Sequence, residues 1–267
     1  MNHLNRELAP ITQAGWDEIE TEARQTLARM LGGRKLFDFK GPHGWQHAAV
    51  NLGKVKRVNK PPVASARVQQ RIVQPLVEVR IPFEMARDEL EAAARGAPDI
   101  DVDNVAAAAR EAAMMEEHAL FNGYAAAGIT GVMQVAEHEP IMIGEDYTHY
   151  PDLVAEACEK LRDTGVDGPY AVALGPRCFT ELARLTDQGY PVMAHVRRLV
   201  NGPLVWAPAV DGAVVLSMRG DDFQLHVGQD FSIGYIDHDS ASVRLYIQES
   251  FTGLIFSPEA AVPLRHD

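Results

Sequence analysis

The amino-acid sequence predicts an α+β protein with its helices in the middle and strands dominating its last third. Two observations carry this prediction: apolar residues recur at helical spacing in several early segments, and apolar and polar residues alternate in the last third. At 267 residues, with 46% hydrophobic and 23% charged residues, the chain has an ordinary globular composition. Its length suits one large domain or two small ones.

The first predicted element is an amphipathic helix over residues 12–31. Thr12 is a suitable N-cap, and the glycine pair that starts at Gly32 is expected to end the helix in the left-handed conformation. A short alternating run at 35–39 and a turn-rich corner at 41–45 follow it. One face of the helix carries Ile19, Ala23, Leu27, Met30 and Leu31.

Residues 41–77 form the strongest charge feature of the sequence. The segment has no acidic residue and a net charge of +6, which leaves −18 for the rest of the chain. Pro61 and Pro62 in its middle make it a poor helix and a poor central strand. We expect an extended basic arm that lies on the acidic surface of another copy of the chain. A nucleic-acid-binding arm is the alternative, although residues 46–77 offer no aromatic side chain to stack on bases.

The middle of the chain is predicted to be mainly helical. Its longest helix carries alanine at Ala108 and Ala112, small residues that let another helix approach closely. The acidic pair Glu116 and Glu117 on the same helix is interpreted as its solvent-exposed side. The predicted elements are a strand over 75–82, helices over 84–94, 103–121, 152–162 and 179–185, and a buried strand over 170–174.

Five strands are predicted in the last third of the chain. The fifth alternates most clearly, with Val243, Leu245 and Ile247 on one face and polar residues on most of the other. The five runs are 204–208, 212–217, 223–227, 231–235 and 243–247.

Sequence motifs for catalysis are missing. The sequence contains neither Gly-x4-Gly-Lys-Ser/Thr nor Gly-x-Gly-x-x-Gly, the motifs of phosphate-binding loops and dinucleotide-binding turns. It also lacks Gly-x-Ser-x-Gly, the nucleophile motif of α/β-hydrolases, and His-Glu-x-x-His, the zinc-binding motif of metalloproteases. We therefore expect no enzyme activity, no metal site and no cofactor. An enzyme with an unrecognised active site stays an alternative, because catalytic groups are assembled in space.

The remaining signals concern cysteines, polar turns and cellular location. Cys158 and Cys178 lie twenty positions apart, which fits neither a disulfide framework nor a zinc pair, and both are expected to be buried. The polar segments 146–149 and 237–239 are interpreted as solvated turns. A membrane-spanning run and a signal-peptide core are both lacking, so we expect a cytoplasmic protein that does not contact a membrane.

Short strings of residues over nearly the whole chain occur in the same order as in one known family. They include Leu8-Ala9-Pro10-Ile11-Thr12, Gly33-Arg34-Lys35, Gly41-Pro42-x-Gly44-Trp45, Thr164-Gly165-Val166-x-Gly168-Pro169-Tyr170, Gly189-Tyr190-Pro191 and Gly228-Gln229-Asp230-x-Ser232-Ile233-Gly234-Tyr235. With these strings the sequence resembles the encapsulins, shell proteins of bacteria and archaea that share the fold of tailed-phage major capsid proteins.

The resemblance implies a domain plan and an assembly. Residues 1–40 would hold the N-terminal helix and an inner-wall strand, and 41–77 the extended loop that reaches over a neighbouring subunit. Residues 78–150 and 205–267 would form a peripheral domain, and 151–204 an axial domain. About sixty copies would then close into an icosahedral shell around a cargo enzyme, held together by contacts that close by symmetry.

The resemblance also implies two functional sites. Leu27, Leu36 and Ile233 would offer apolar pockets to a C-terminal peptide of the cargo, and Arg34 and Asp38 would make polar contacts with it. An alternative for Leu27 is that it merely packs the helix. Asp187, Gly189 and Tyr190 match the loop around the fivefold pore, where five Asp187 carboxylates would favour cations and neutral molecules over anions. An ordinary solvated loop is the alternative.

Cofactor and cargo predictions follow from the family in the same way. Some relatives hold a flavin against an aromatic residue just after the strand that ends near Phe83, but this chain has Arg87 in that region, so no flavin is expected. The cargo would be a dye-decolorising peroxidase, which we favour, or a ferritin-like protein. A phage or prophage capsid protein that packages DNA is the alternative function, although the −18 remainder suits a polyanion poorly and no nucleic-acid partner is expected.

Overall fold

The computed structural model describes residues 3–187 and 189–266 and contains seven α-helices and fourteen β-strands in those ranges. The helices are α1 Gln13–Met30, α2 Arg87–Ala94, α3 Asp103–Phe121, α4 Val132–Val135, α5 Tyr150–Asp163, α6 Pro176–Arg184 and α7 Val192–Val200. The strands are β1 Asp38–Lys40, β2 Ala49–Val58, β3 Val68–Pro75, β4 Val77–Ala86, β5 Ile141–Ile143, β6 Tyr170–Leu174, β7 Thr186–Asp187, β8 Tyr190–Pro191, β9 Leu204–Trp206, β10 Ala213–Ser217, β11 Phe223–Val227, β12 Ser232–His238, β13 Ser242–Ile255 and β14 Ala261–His266.

The first sheet is built around β13, the longest strand. β4 pairs with β13 over ten residues, β12 and β11 pair with successive parts of it, and β1 adds to β11 in parallel. Helices α1, α2 and α3 cover this sheet, and their apolar faces form one core with β4 and β13. Ile19, Val105 and Leu245 are fully buried there, in agreement with the helical and alternating patterns that predicted these elements.

The second sheet has the order β5-β14-β10-β6-β9 and packs against α5, α6 and α7. Every residue of β6 and β10 is buried. The strand pairing does not follow the expected domain boundary at residue 205: β10 and β14 come from the segment assigned to the peripheral domain, yet β10 pairs with β6 of the expected axial segment. Strand β5, from the expected peripheral segment, likewise pairs with β14.

The basic segment forms an antiparallel hairpin of β2 and β3 that projects from the first sheet. All residues of β3 except Gln74 are exposed, and the side chains of Val55 and Val63 keep 50% and 61% of their surface in contact with solvent. Residues 49–75 are all described, and none of them belongs to either core cluster. The predicted extended arm is therefore a hairpin, with its two prolines in the turn region between the strands.

The end of α1 differs from the prediction. Gly32 has φ −71°, a right-handed conformation, and the chain continues into a 3₁₀ turn at Gly33–Lys35. A Cβ on Gly32 would lie 2.5 Å from the carbonyl oxygen of Trp206, so this glycine serves a close approach between α1 and β9. Thr12 caps the helix as predicted, its hydroxyl accepting from the Gly15 amide.

Several elements escaped the sequence prediction, including the short α4, β5, β7 and β8, and one helix was predicted to begin too early. Helix α7 and strand β14 were not predicted, and β14 contains Pro263, a residue that argues against a central strand. Helix α2 begins at Arg87 instead of Glu84 because β4 continues to Ala86 in its pairing with β13. Helix α3 has the bounds that the sequence predicted.

Candidate functional site

A groove of about 520 Å³ lies between α1 and the first sheet. Its wall on the helix side is formed by residues spaced three or four apart, among them Ala23, Leu27 and Leu31, because residues at that spacing share one face of a helix. The opposite wall comes from β12 and β13 and includes Ile233 and Ile247. The groove therefore has apolar side chains on both walls together with charged ones, among them Arg34 and Asp230.

The N-terminal segment also contributes to the groove. Leu4 and Arg6 line it, and the Leu4 carbonyl accepts a hydrogen bond from the Tyr235 amide of β12 at 2.8 Å. The Arg6 guanidinium lies 4.0 Å from the ring centre of Trp16 and forms an ion pair with Glu20 at 2.5 Å. These contacts hold the segment against β12 and α1.

The structure brings together three of the five predicted peptide-binding residues. Leu27, Arg34 and Ile233 line the groove. Leu36 is buried in the larger core cluster, and the Asp38 carboxylate accepts a hydrogen bond from the Asp221 amide at 2.6 Å. Leu36 and Asp38 line a separate recess of about 20 Å³, because the 3₁₀ turn at residues 33–35 separates their directions from that of Arg34. The binding role of all five residues stays a prediction.

Arg34 is held by carboxylates from three parts of the chain. Its guanidinium donates to both oxygens of Glu116 at 2.8–3.0 Å, to Asp230 at 2.9 Å and to Glu249. It also lies 4.7 Å from the ring centre of Phe231. Burial alone would lower the pKa of Arg34, but the hydrogen bonds and negative charge of Glu116, with Glu249 and Asp230, raise it above its ordinary value.

The acidic residues on α3 were assigned wrongly to its solvent-exposed side. Glu116 and Glu117 have no exposed surface, and Glu249 on β13 is 2% exposed. A signal was present in the sequence: the spacing that places Val105 and Ala112 on the buried face continues to residue 116. Their partners are 82 to 215 positions away in sequence, which no local pattern reveals.

The predicted pore residues lie in a small hairpin between α6 and α7. Asp187 in β7 pairs with Tyr190 in β8, and Gly189 has φ +82°, a conformation that favours glycine in the turn. Asp187 and Tyr190 are exposed, whereas Gln188 is outside the described residues. The place of this hairpin around a pore stays a prediction.

Other candidate groups do not assemble into a site. Cys158 and Cys178 are free and buried as predicted, and burial raises the pKa of both thiols. Asp146 and Asp239 are exposed, as expected of solvated turns, but Tyr147 in the first of these segments is buried in the larger core cluster, so that prediction holds only in part. Among residues 3–187 and 189–266, no group of three or more His, Cys, Asp or Glu side chains is placed to hold a metal ion. Within the same ranges, no helix has the length and apolar character needed to cross a membrane.

Comparisons with known proteins agree with the resemblance in sequence. The Linocin_M18 family, described as "Encapsulating protein for peroxidase", matches residues 1–252. The type 1 encapsulin shell protein of Rhodospirillum rubrum is 51% identical over 271 residues, covering 99% of this chain and 97% of that protein. The type 1 encapsulin shell protein of Mycobacterium tuberculosis is 42% identical over 266 residues and covers 100% of both chains.

Solved structures with the same fold are capsids and capsid-like particles. The virus-like particle of Pyrococcus furiosus aligns with a TM-score of 0.60 at 13% identity, covering 92% of this chain and 97% of that chain. The capsid of an empty GTA particle aligns with a TM-score of 0.54 at 13% identity, covering 88% of this chain and 89% of that one. At these identities the likeness establishes the tailed-phage capsid fold, as the sequence predicted.

Proposed function

Because this chain belongs to the encapsulin family of shell proteins, we propose that about sixty copies close into an icosahedral shell that encloses a peroxidase and holds it through a peptide in the α1 groove. The observation that carries the cargo part of the proposal is the groove itself. It joins an apolar channel beside Leu27 to a fixed cluster of charges around Arg34.

The exposed surface of the arm favours self-assembly. Its hairpin exposes valine side chains and six cationic residues and packs on neither core. An isolated two-stranded hairpin is marginally stable in water, so the arm gains from contact with a second surface. The rest of the chain carries −18, and the acidic surface of a neighbouring copy is the complementary partner.

The groove suits an extended peptide with two or three apolar side chains. Each apolar side chain buried there contributes roughly 1.5–3 kcal/mol before ordering costs are subtracted. One peptide would therefore bind weakly. An oligomeric cargo presents several peptides to several subunits, and the combined affinity exceeds that of one contact by orders of magnitude.

A dye-decolorising peroxidase is the cargo that we favour, supported by the description of the matching family. A ferritin-like protein is the second candidate. Mass spectrometry of the proteins that co-purify with shells from the native host distinguishes the two. The shell protein itself would catalyse nothing, and turnover that survives removal of all cargo would contradict this part of the proposal.

A phage or prophage capsid protein is the competing function. The identity of 51% to an encapsulin shell protein, against 13% to the aligned capsids, favours the compartment. Electron microscopy of purified particles together with nucleic-acid extraction tests the point. Closed particles with protein cargo support the proposal, whereas particles filled with DNA support the competing function.

Substitution in the groove tests cargo binding directly. Leu27→Glu places a charge in the apolar wall, and we expect intact shells whose peroxidase activity per milligram of shell protein falls about tenfold or more. Gln25→Glu introduces the same residue on the exposed side of the same helix and is expected to load normally. Normal loading of the Leu27→Glu shells would show that the cargo binds elsewhere.

A further inference from the structure

More carboxylates than cations meet at the end of the groove. Glu116 and Glu117 of α3 and Glu249 of β13 are fully or almost fully buried, and Arg34 is the cation that contacts this group. We call these three glutamates the buried carboxylate cluster. Because one guanidinium does not balance three ionised carboxylates in a buried site, we expect at least one of the three to be neutral at ordinary pH, and burial raises the pKa of both Glu249 and Glu117.

Glu117 has the geometry of the neutral member. Its Oε1 accepts a hydrogen bond from the Gly33 amide at 2.6 Å. Its Oε2 is buried and has no hydrogen-bond partner among the described residues. A carboxylate with an unpaired, desolvated oxygen is far costlier than a neutral carboxyl in the same place. Burial accordingly raises the pKa of Glu117 to about 8, and the charge of Glu116 adds to this effect.

The charges that face Glu117 come from every element around it. Glu116 lies beside it on α3 and opposes its ionised form, whereas the hydrogen bond from the Gly33 amide and the charges of Lys35 and Arg34 favour that form, although less than burial opposes it. Arg34 is already engaged by Glu116, by Glu249 of β13 and by Asp230 before β12. Ionisation of Glu117 would therefore make it compete for a guanidinium that other carboxylates hold.

The turn at Gly33 is packed closely against α3, so a shift of the Glu117 side chain would also move the turn. A Cβ on Gly33 would lie 2.7 Å from Leu120 Cδ1 and 3.0 Å from Glu117 Oε1, so the backbone of the turn rests directly on α3. The next residue is Arg34, which lines the groove. Any movement of the turn relative to α3 is thus passed to the end of the groove within one residue.

We propose that Glu117 is a positioning residue for the groove: while its carboxyl is neutral, Arg34 stays with Glu116, Glu249 and Asp230 in the binding geometry, and loss of the proton draws the guanidinium towards Glu117 and weakens peptide binding. This inference rests on the proposed cargo function. Binding is complete at pH values well below that at which Glu117 ionises and declines as the pH rises through it. The peptide bound in the groove needs no titratable group of its own for this response.

The binding experiment uses assembled shells and a fluorescein-labelled synthetic peptide with the C-terminal sequence of the peroxidase that co-purifies with them. With half-ionisation at about pH 8, the neutral fraction falls from about 0.9 at pH 7 to about 0.1 at pH 9, so the affinity should fall about tenfold. Glu117→Gln keeps an oxygen for the Gly33 amide but cannot ionise, and its affinity should stay constant. Glu111→Gln, on the exposed side of α3, should behave as the unsubstituted shell.

Three results would overturn the inference: an unchanged affinity of the unsubstituted shell between pH 7 and 9, an equal decline in the Glu117→Gln shell, or an affinity of the Glu111→Gln shell that no longer depends on pH. If no peptide binds to the unsubstituted shell at pH 7, the proposed function fails instead. Infrared spectroscopy of the unsubstituted shell needs neither peptide nor folded variant. It should show a protonated-carboxyl band that loses intensity between pH 7 and 9 as Glu117 ionises, and an unchanged band over this range or no band at pH 7 would also overturn the inference.

Discussion

Gly32 is the residue at which the end of α1, which covers the first sheet, comes close to β9 of the second sheet. Its lack of a side chain lets the end of α1 approach the carbonyl oxygen of Trp206 and the side chain of Val205 in β9. The sequence indicates a glycine with a structural role at this position, but it cannot tell a left-handed backbone from a close contact with a strand 170 residues further on. Only the packed fold distinguishes the two.

Substitution of this glycine should destabilise the subunit. A Cβ at 2.5 Å from the Trp206 oxygen forces α1 and β9 apart, and we expect Gly32→Ala to cost about 1–3 kcal/mol and to lower the thermal midpoint of the shell by several degrees. Gly144→Ala is the matched control, because a Cβ there meets no atom within 4 Å. Equal midpoints for the two variants, measured by scanning calorimetry, would argue against this role of Gly32.

The arm is the element whose stability depends most on its surroundings. Within one subunit it is two paired strands with exposed valines and no contribution to a core. The two sheets and their helices bury their apolar faces without it. Folding of the subunit and assembly of the shell are therefore expected to be separable.

Removal of the arm tests this separation. Asn51 and Val73 are register partners in the hairpin, so residues 52–72 can be replaced by an Asn-Gly turn that keeps the base of the two strands. We expect a folded subunit with native-like circular dichroism that sediments as a monomer or small oligomer. Closed particles in the ultracentrifuge from this variant would exclude the arm as the main assembly contact.

The spacing of apolar residues predicted the elements that have one clear apolar face. It failed for elements whose burial depends on pairing with distant strands. The bounds of α3 follow from its spacing of apolar residues, and β13 was recognised from the alternation at Val243 and Leu245. Strand β14 was missed because Pro263 argues against a strand, and its burial comes from pairing with β10. Which strands share a sheet depends on chain reversals between distant segments, and no local pattern encodes them.

The candidate site was predicted from the resemblance to the encapsulins, and the structure brings together a part of it. Leu27 and Ile233 lie on faces that their helix and strand patterns identify, and the structure places both in the groove. Leu36 and Asp38 follow a 3₁₀ turn whose rotation is invisible in the sequence, and they lie in another recess. Glu117 reads as a surface residue by composition, because carboxylates are rarely buried, and only its contact with Gly33 reveals it.

At the scale of the whole molecule, function depends on how copies meet. The β7–β8 hairpin carries two exposed residues, Asp187 and Tyr190. If five copies of this hairpin surround a pore, their carboxylates repel anions that approach the shell. Fivefold symmetry would then place five copies of this charge around one pore, so a single substitution would remove all five.

Neutralising this ring should admit anionic substrates faster. We expect Asp187→Asn shells loaded with peroxidase to oxidise an external anionic dye several-fold faster than unsubstituted shells, with the rate for a cationic substrate unchanged or lower. Asp99→Asn removes an equal charge at another exposed position and should alter neither rate. Identical anionic rates for the two variants would place the entry route elsewhere.

Strand β13 carries both the floor of the groove and the attachment of the arm. Ile247 lines the groove, and Phe251 pairs with Val77, two residues after the end of β3. At ~3.3 Å per residue the two positions are about 13 Å apart on one continuous backbone. In the design of a delivery particle from this protein, payload selection and particle closure are therefore not independent. Both depend on the position of the same strand.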